Sequence, residues 1–203
     1  MTEGEAILNA TTRDGQDFST YASSPLGNGW SGSLLVAANH HSAKDLDDDD
    51  WIDLPEYERW SVRPRFFWEG SEGTNLYLTV GAMGEDRKGG TLSGGLIPDG
   101  YPFQQNQDTD RLDGGFVLQH PINDQLSAQV RASAFRQQHD HVFGDLLEED
   151  RHQTILTEAS LSGDLPSASW VGGVVYQSDE YDSDTFPIHD YKYESPAAFA
   201  HFD

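Results

Sequence analysis

Strands, not helices, are what the period of this sequence dictates. Apolar and polar residues alternate with a repeat of two, over segment after segment. "NLYLTVGAMGED" sets Leu76, Leu78, Val80 and Ala82 against Tyr77, Thr79 and Gly81. "LSAQVRASAFRQ" sets Ala128, Val130, Ala132 and Ala134 against Ser127, Gln129, Arg131 and Ser133. "TILTEASLSG" sets Ile155, Thr157, Ala159 and Leu161 against Thr154, Glu158, Ser160 and Ser162, and "RWSVRPRFFWE" sets Trp60, Val62, Phe66 and Trp68 against Ser61, Arg63, Arg65 and Glu69. Successive side chains of a strand point to opposite faces, so these segments are strands with one apolar and one polar face. No segment of similar length carries the 3.6-residue repeat of an amphipathic helix. The pattern predicts an all-β chain of about ten strands, near 5–12, 16–24, 30–41, 59–69, 75–86, 109–120, 126–139, 151–164, 170–181 and 191–203.

The connections alternate too. "PLGNG", "GSEGT", "PINDQ" and "LPSAS" are short and turn-like. Between them lie longer acidic stretches, 42–58, 87–108, 140–150 and 182–190, with "RDGQ" as a short exception. Several strands exceed the usual soluble length of about five or six residues and suit a tilted membrane strand of roughly nine to eleven. This layout predicts an antiparallel transmembrane β-barrel fragment, with short periplasmic turns and long extracellular loops.

Charge and composition narrow the function. Acidic residues outnumber basic ones by 35 to 12, giving a formal net charge of −23, which argues against a nucleic-acid partner. Cysteine is absent, which removes disulfide scaffolds, thiolate metal sites and Cys nucleophiles. No apolar run is long enough for a membrane helix, and the first residues, "MTEGE", lack a signal-peptide pattern. Trp30, Trp68 and Trp170 each adjoin a short turn, placing three indoles at one end of their strands, as at a membrane interface. Pro64 interrupts a strand, and a bulge is the expected accommodation.

The ordered series "YERWSVRPRFFWEG", "LYLTVGAMGEDRKGGTL", "LIPDGYPF" with "DTDRLDGG", and "RQQHDHVFGD" with "EASLSG" resembles the barrel of TonB-dependent outer-membrane receptors. The resemblance implies uptake of a scarce small-molecule ligand such as a ferric siderophore, contact with outer-membrane lipid, no catalysis, and coupling to TonB through a plug region. A complete receptor of this kind has a plug and 22 strands. Residues 1–203 therefore read as a partial barrel domain from the N-terminal half, without plug or signal peptide. A complete ten-stranded barrel is the competing architecture, and the ending "AAFAHFD" favours truncation. A soluble acidic all-β binding module with a calcium-stabilised loop is the alternative from another class.

One stretch, "DLDDDDWIDLPE", has the ligand spacing of an EF-hand-type calcium loop. Asp45, Asp47 and Asp49 occupy positions one, three and five; Trp51 would offer a carbonyl at seven, with Asp53 at nine and Glu56 at twelve. Asp50 stands where such loops carry a glycine, and Asp accepts the required positive φ at some cost. Three other constellations are weaker. His40–His41 and His139–His141 lie at the outer ends of strands and suggest a transition-metal contact, with surface histidines as the simpler reading. His139 with Asp140 suggests a rim protease pair. Arg63, Arg65 and Arg131 fall on polar strand faces, where they would meet an anionic ligand, a plug, or carboxylates such as Glu69 and Glu158. The glycines of "EDRKGGTLSGG" have no phosphate-loop spacing.

Overall fold

The computed structural model describes residues 1–70 and 72–203. Ten strands form one antiparallel sheet in chain order: β1 (Glu3–Ala10), β2 (Gln16–Gly27), β3 (Trp30–His41), β4 (Glu56–Glu69), β5 (Asn75–Gly90), β6 (Gln104–Asn123), β7 (Leu126–Phe143), β8 (Leu146–Leu165), β9 (Ala168–Ser183) and β10 (Tyr191–Phe202). The all-β meander predicted from the period-two pattern is thus the fold. A single turn of 3₁₀ helix, Pro187–His189, breaks the last long connection.

Register carries the alternation coherently across the sheet. One row reads Trp30, Trp68, Leu76, Leu118, Val130, Ala159, Val174, Ala198. Another reads Leu34, Pro64 and, beyond it, Val80, Gly114, Ala134, Ile155. A one-residue slip in any hairpin would turn that strand's apolar set to the other side. The turns prevent it. Asn28 and Gly29, with φ of 53° and 80°, link β2 to β3 in the doubly positive conformation that tight hairpins favour.

The apolar zone drifts across these rows. The row that begins apolar with Leu8, Phe18, Ala38 and Trp60 ends polar, with Asp110, Gln138, Arg151 and Asp182. On β9 and β10 the zone lies nearer the short turns, from Trp170 and Phe202 to Tyr176 and Pro196. A level belt on strands that are tilted, as in a barrel wall, slants across the hydrogen-bonded rows in this way.

Two expectations are corrected. The stretch 140–150 is not a long loop: β7 runs to Phe143, β8 starts at Leu146, and Gly144 (φ 62°) with Asp145 makes a two-residue turn. Acidic side chains on both faces had hidden the strand continuation. Pro64 is not at a bulge. Its pairing with β5 lapses between Val62↔Ala82 and Arg65↔Thr79 and resumes in the same register, and the Thr79 hydroxyl donates to the Pro64 carbonyl at 3.2 Å. The register irregularities lie instead between Pro25 and Gly27 and between Pro121 and Asn123, beside short turns.

No apolar side chain is buried among the described residues, and Val80, Leu112 and Val174 are 51%, 60% and 59% exposed. The accessible surface is 13301 Å², against about 9,500 Å² for a compact soluble chain of this mass. One sheet has no second layer, so its apolar face must meet another apolar phase or partner.

Candidate functional site

Two regions carry chemistry: the acidic loop between β3 and β4, and the polar face of the sheet. The loop is pinched by reciprocal backbone bonds between Lys44 and Leu54, at 2.9 and 3.0 Å. Inside the pinch the Asp45 carboxylate accepts N–H groups from Asp47 (3.2 Å), Asp48 (2.8 Å) and Asp50 (2.9 Å). Asp49 accepts the N–H of Trp51, and Asp53 that of Leu46. Asp48 and Asp50 both have positive φ, 59° and 66°, so Asp50 does adopt the conformation its glycine-like position requires. Ligand oxygens of Asp45, Asp47 and Asp49 all lie within 4.8 Å of one another, the only such group among the described residues.

Trp51 and Glu56 have other partners. Trp51 bridges to Thr91, and its ring lies 5.7 Å from Phe103, tying this loop to the next long connection. Glu56, expected to close the set, opens β4 opposite Lys88 and lies 3.9 Å from its ammonium. The extended strand start draws it away from the three aspartates.

The electrostatics of the cluster are opposed. The Asp49 carboxylate, then partial desolvation and the Asp53 and Asp45 carboxylates, push the Asp47 carboxyl above its ordinary range. For Asp45 desolvation works upward, but the N–H groups of Asp50, Asp47 and Asp48 together hold it lower. A raised carboxyl pKa means that folding of the loop is favoured below the ordinary value and opposed as pH rises through the raised one. Without added cation, protease resistance of residues 42–55 therefore falls as pH rises through the Asp47 titration, and Asp47→Asn flattens that profile. An unchanged profile in the variant would contradict the assignment.

The polar face holds a network of ions and rings. Arg63 on β4 reaches across β5 to Asp113 on β6 through two hydrogen bonds, 2.8 and 2.9 Å. Gly81 on β5 leaves the space: a Cβ there would overlap the guanidinium. Arg111 bonds the same carboxylate at 3.3 Å and sits 4.9 Å over the Phe135 ring. Arg131 pairs with Glu158 at 2.6 Å, one of the carboxylates that the sequence offered to the three arginines, and Arg63 takes Asp113. Nε of Arg65 is buried and finds no acceptor among the described residues.

The histidines do not converge. Strands β4 to β6 separate β3 from β7, so His40–His41 and His139–His141 are apart. His40 faces Glu58 at 3.4 Å, and His41 stacks on Tyr57. The ring nitrogens of His139 lie 2.9 Å from the Thr109 hydroxyl and 2.7 Å from the Gln137 amide. Asp140 points to the other face, opposite Asp108, so His139 and Asp140 cannot share a water.

A second group was not singled out from sequence. His152, Tyr181 and Tyr191 lie directly opposite one another on β8, β9 and β10, and Asp179 lies opposite Tyr193 on the same face. His152 approaches the Asp179 carboxylate at 2.7 Å. The signal was present: Asp179 and Tyr181 alternate with Glu180 and Asp182, but the acidic run obscured the continuing strand.

No protein-family profile and no curated protein matches the chain. Among solved structures, the crystal structure of the siderophore receptor PiuA from Acinetobacter baumannii is similar, with a TM-score of 0.68 and 13% sequence identity. The match covers 99% of this chain and 38% of that one. At that identity the likeness is one of fold, and this chain spans well under half the length of the receptor.

Proposed function

We propose that this chain is part of an outer-membrane receptor barrel that takes up a small ligand, with its apolar face in lipid and its polar face toward the barrel interior. The observation that carries the reading is the continuous, unburied apolar face. It is edged near the short turns by Trp30 and Trp68, ring centroids 6.2 Å apart, and by Trp170. Trp60 marks the other edge and lies over Gly84. Past it, the same face turns acidic, with Glu58, Asp86, Asp108, Asp140 and Glu149 directly opposed strand to strand. Like charges so placed are unfavourable and belong in water, not hydrocarbon. A belt with an indole rim and an ionic border is what a bilayer selects. Similarity to a siderophore receptor supports a siderophore as ligand class; energy relayed from TonB through a plug is what the resemblance of the sequence to that receptor family implies.

Fractionation tests this. The expressed chain is expected in the outer-membrane fraction, resistant to alkaline extraction, and to migrate differently in gels before and after heating. A chain that remains in solution without detergent would overturn the reading and favour a soluble module.

The acidic loop adds a second element, an external calcium site that orders residues 42–55. Asp45, Asp47 and Asp49 supply hard oxygen ligands, and a divalent cation would relieve the repulsion on Asp47. Calcium is expected to protect this loop from protease. Asp47→Asn with Asp49→Asn abolishes protection, while Glu56→Gln retains it. Equal cleavage with and without calcium in the unaltered chain would leave only a solvated acidic turn.

A further inference from the structure

The long-connection end of the polar face has an unusual composition: rings and acids, with no lysine or arginine on that face of β8, β9 or β10. Five rings run side by side across four strands. His152 meets Phe135 edge-on at 5.2 Å and Tyr181 at 6.4 Å; Tyr181 stacks on Tyr191 at 5.8 Å and 16°; Tyr191 lies 5.0 Å from Tyr193. Asp179 sits beneath them, 2.7 Å from His152. Tyr193 closes the row on the last strand of the sheet. The bases nearby are committed elsewhere: Lys192 and Arg151 belong to the opposite face, against Glu180 and Asp182.

The approach to this row is acidic. Asp150 and Glu148 share its face on β8, and the connections at this end carry many aspartates against Arg13 in the first turn and Lys44 in the acidic loop. Such a mouth concentrates cations and repels anions. The protein already shows what the row does with positive charge, since the Arg111 guanidinium rests on Phe135, its first ring. Ring faces attract cations, most strongly where water is partly excluded.

We propose that the row Phe135, His152, Tyr181, Tyr191, Tyr193, with Asp179, is the binding surface for a cationic small ligand, and that polyanionic chelates are disfavoured there. The inference rests on the uptake reading and specifies the charge of what is taken up.

The test uses two ferric trihydroxamate chelates that differ in one group: a free ammonium, or the same amine succinylated to a carboxylate. Binding to the full chain folded in detergent micelles is followed by quenching of its tryptophan fluorescence. The ammonium chelate is expected to bind at least about tenfold more tightly at low salt, with the difference shrinking at high salt. Tyr193→Ala and Asp179→Asn each weaken the ammonium chelate about three- to tenfold and leave the weak binding of the succinylated chelate unchanged, while Tyr193→Phe retains affinity. Heat-modifiable mobility verifies that each variant folds. Equal or tighter binding of the succinylated chelate, binding of neither chelate, or indifference to both substitutions overturns the proposal. A chain that fractionates with the outer membrane yet prefers the anionic chelate refutes this inference and leaves the uptake reading standing.

Discussion

Val80→Arg is expected to lower the stability of the bilayer-inserted chain by about 2–4 kcal/mol, whereas Thr79→Arg, one position earlier, costs much less. Val80 lies in the middle of the apolar belt on β5, 51% exposed, between Pro64's position on β4 and Gly114 on β6. Arginine there places a guanidinium among hydrocarbon tails, where it must reach for the interface or draw water inward. Thr79 is on the polar face, opposite Arg65 and Gly115, where charge can be hydrated. In a soluble protein both positions would be exposed and the two substitutions would differ by little. The pair is read by urea-driven unfolding of the chain reconstituted in lipid. Equal costs would remove the lipid from the account.

Gly81→Val is the second large effect, and its sign is the informative part. Valine in place of glycine inside a strand ordinarily stabilises, by up to about 1 kcal/mol. Here it is expected to destabilise by about 1–3 kcal/mol, because the new side chain occupies the path of the Arg63–Asp113 bridge. Displacing Arg63 leaves Asp113, 16% exposed in its side chain, with Arg111 alone. Asp113→Asn weakens the same bridge from the other end. The two changes are therefore not additive: in the Asp113→Asn background, Gly81→Val loses most of its cost. Additive costs would mean that the glycine serves only local backbone packing.

These predictions also mark how far the sequence could be read. All ten strands were visible, because alternation at period two is a local signal and each apolar face is exposed to one environment. Their ends were not. Beyond the belt both faces are polar, so β7 and β8 continue through His141 and Glu148 without any change that marks strand from loop. Directly opposed pairs were accessible once the turns were located, and Arg131–Glu158 follows from the β7–β8 register. Arg63–Asp113 was not, since it skips a strand and depends on a missing Cβ between the partners. In the acidic loop, the spacing singled out Asp45, Asp47 and Asp49, whose side chains the fold brings together, and Asp50, which has positive φ. Counting positions does not reveal that Glu56 opens β4, opposite Lys88. The ring row was missed for a similar reason: its members come from four strands, each contributing a residue or two within segments dominated by acid.

The chain has no cysteine, so any introduced thiol is unique. Single cysteines at positions 76 to 80, 82 and 83 of β5 are spin-labelled in the bilayer-reconstituted chain, and collision with oxygen is compared with collision with a water-soluble nickel chelate. Labels at Leu76, Leu78, Val80 and Ala82 are predicted to favour oxygen, and those at Tyr77, Thr79 and Met83 to favour the chelate, with a strict period of two; Gly81, whose missing Cβ makes room for Arg63, is left unlabelled. Uniform access to the aqueous reagent, or the opposite phase, would contradict a lipid-facing apolar sheet.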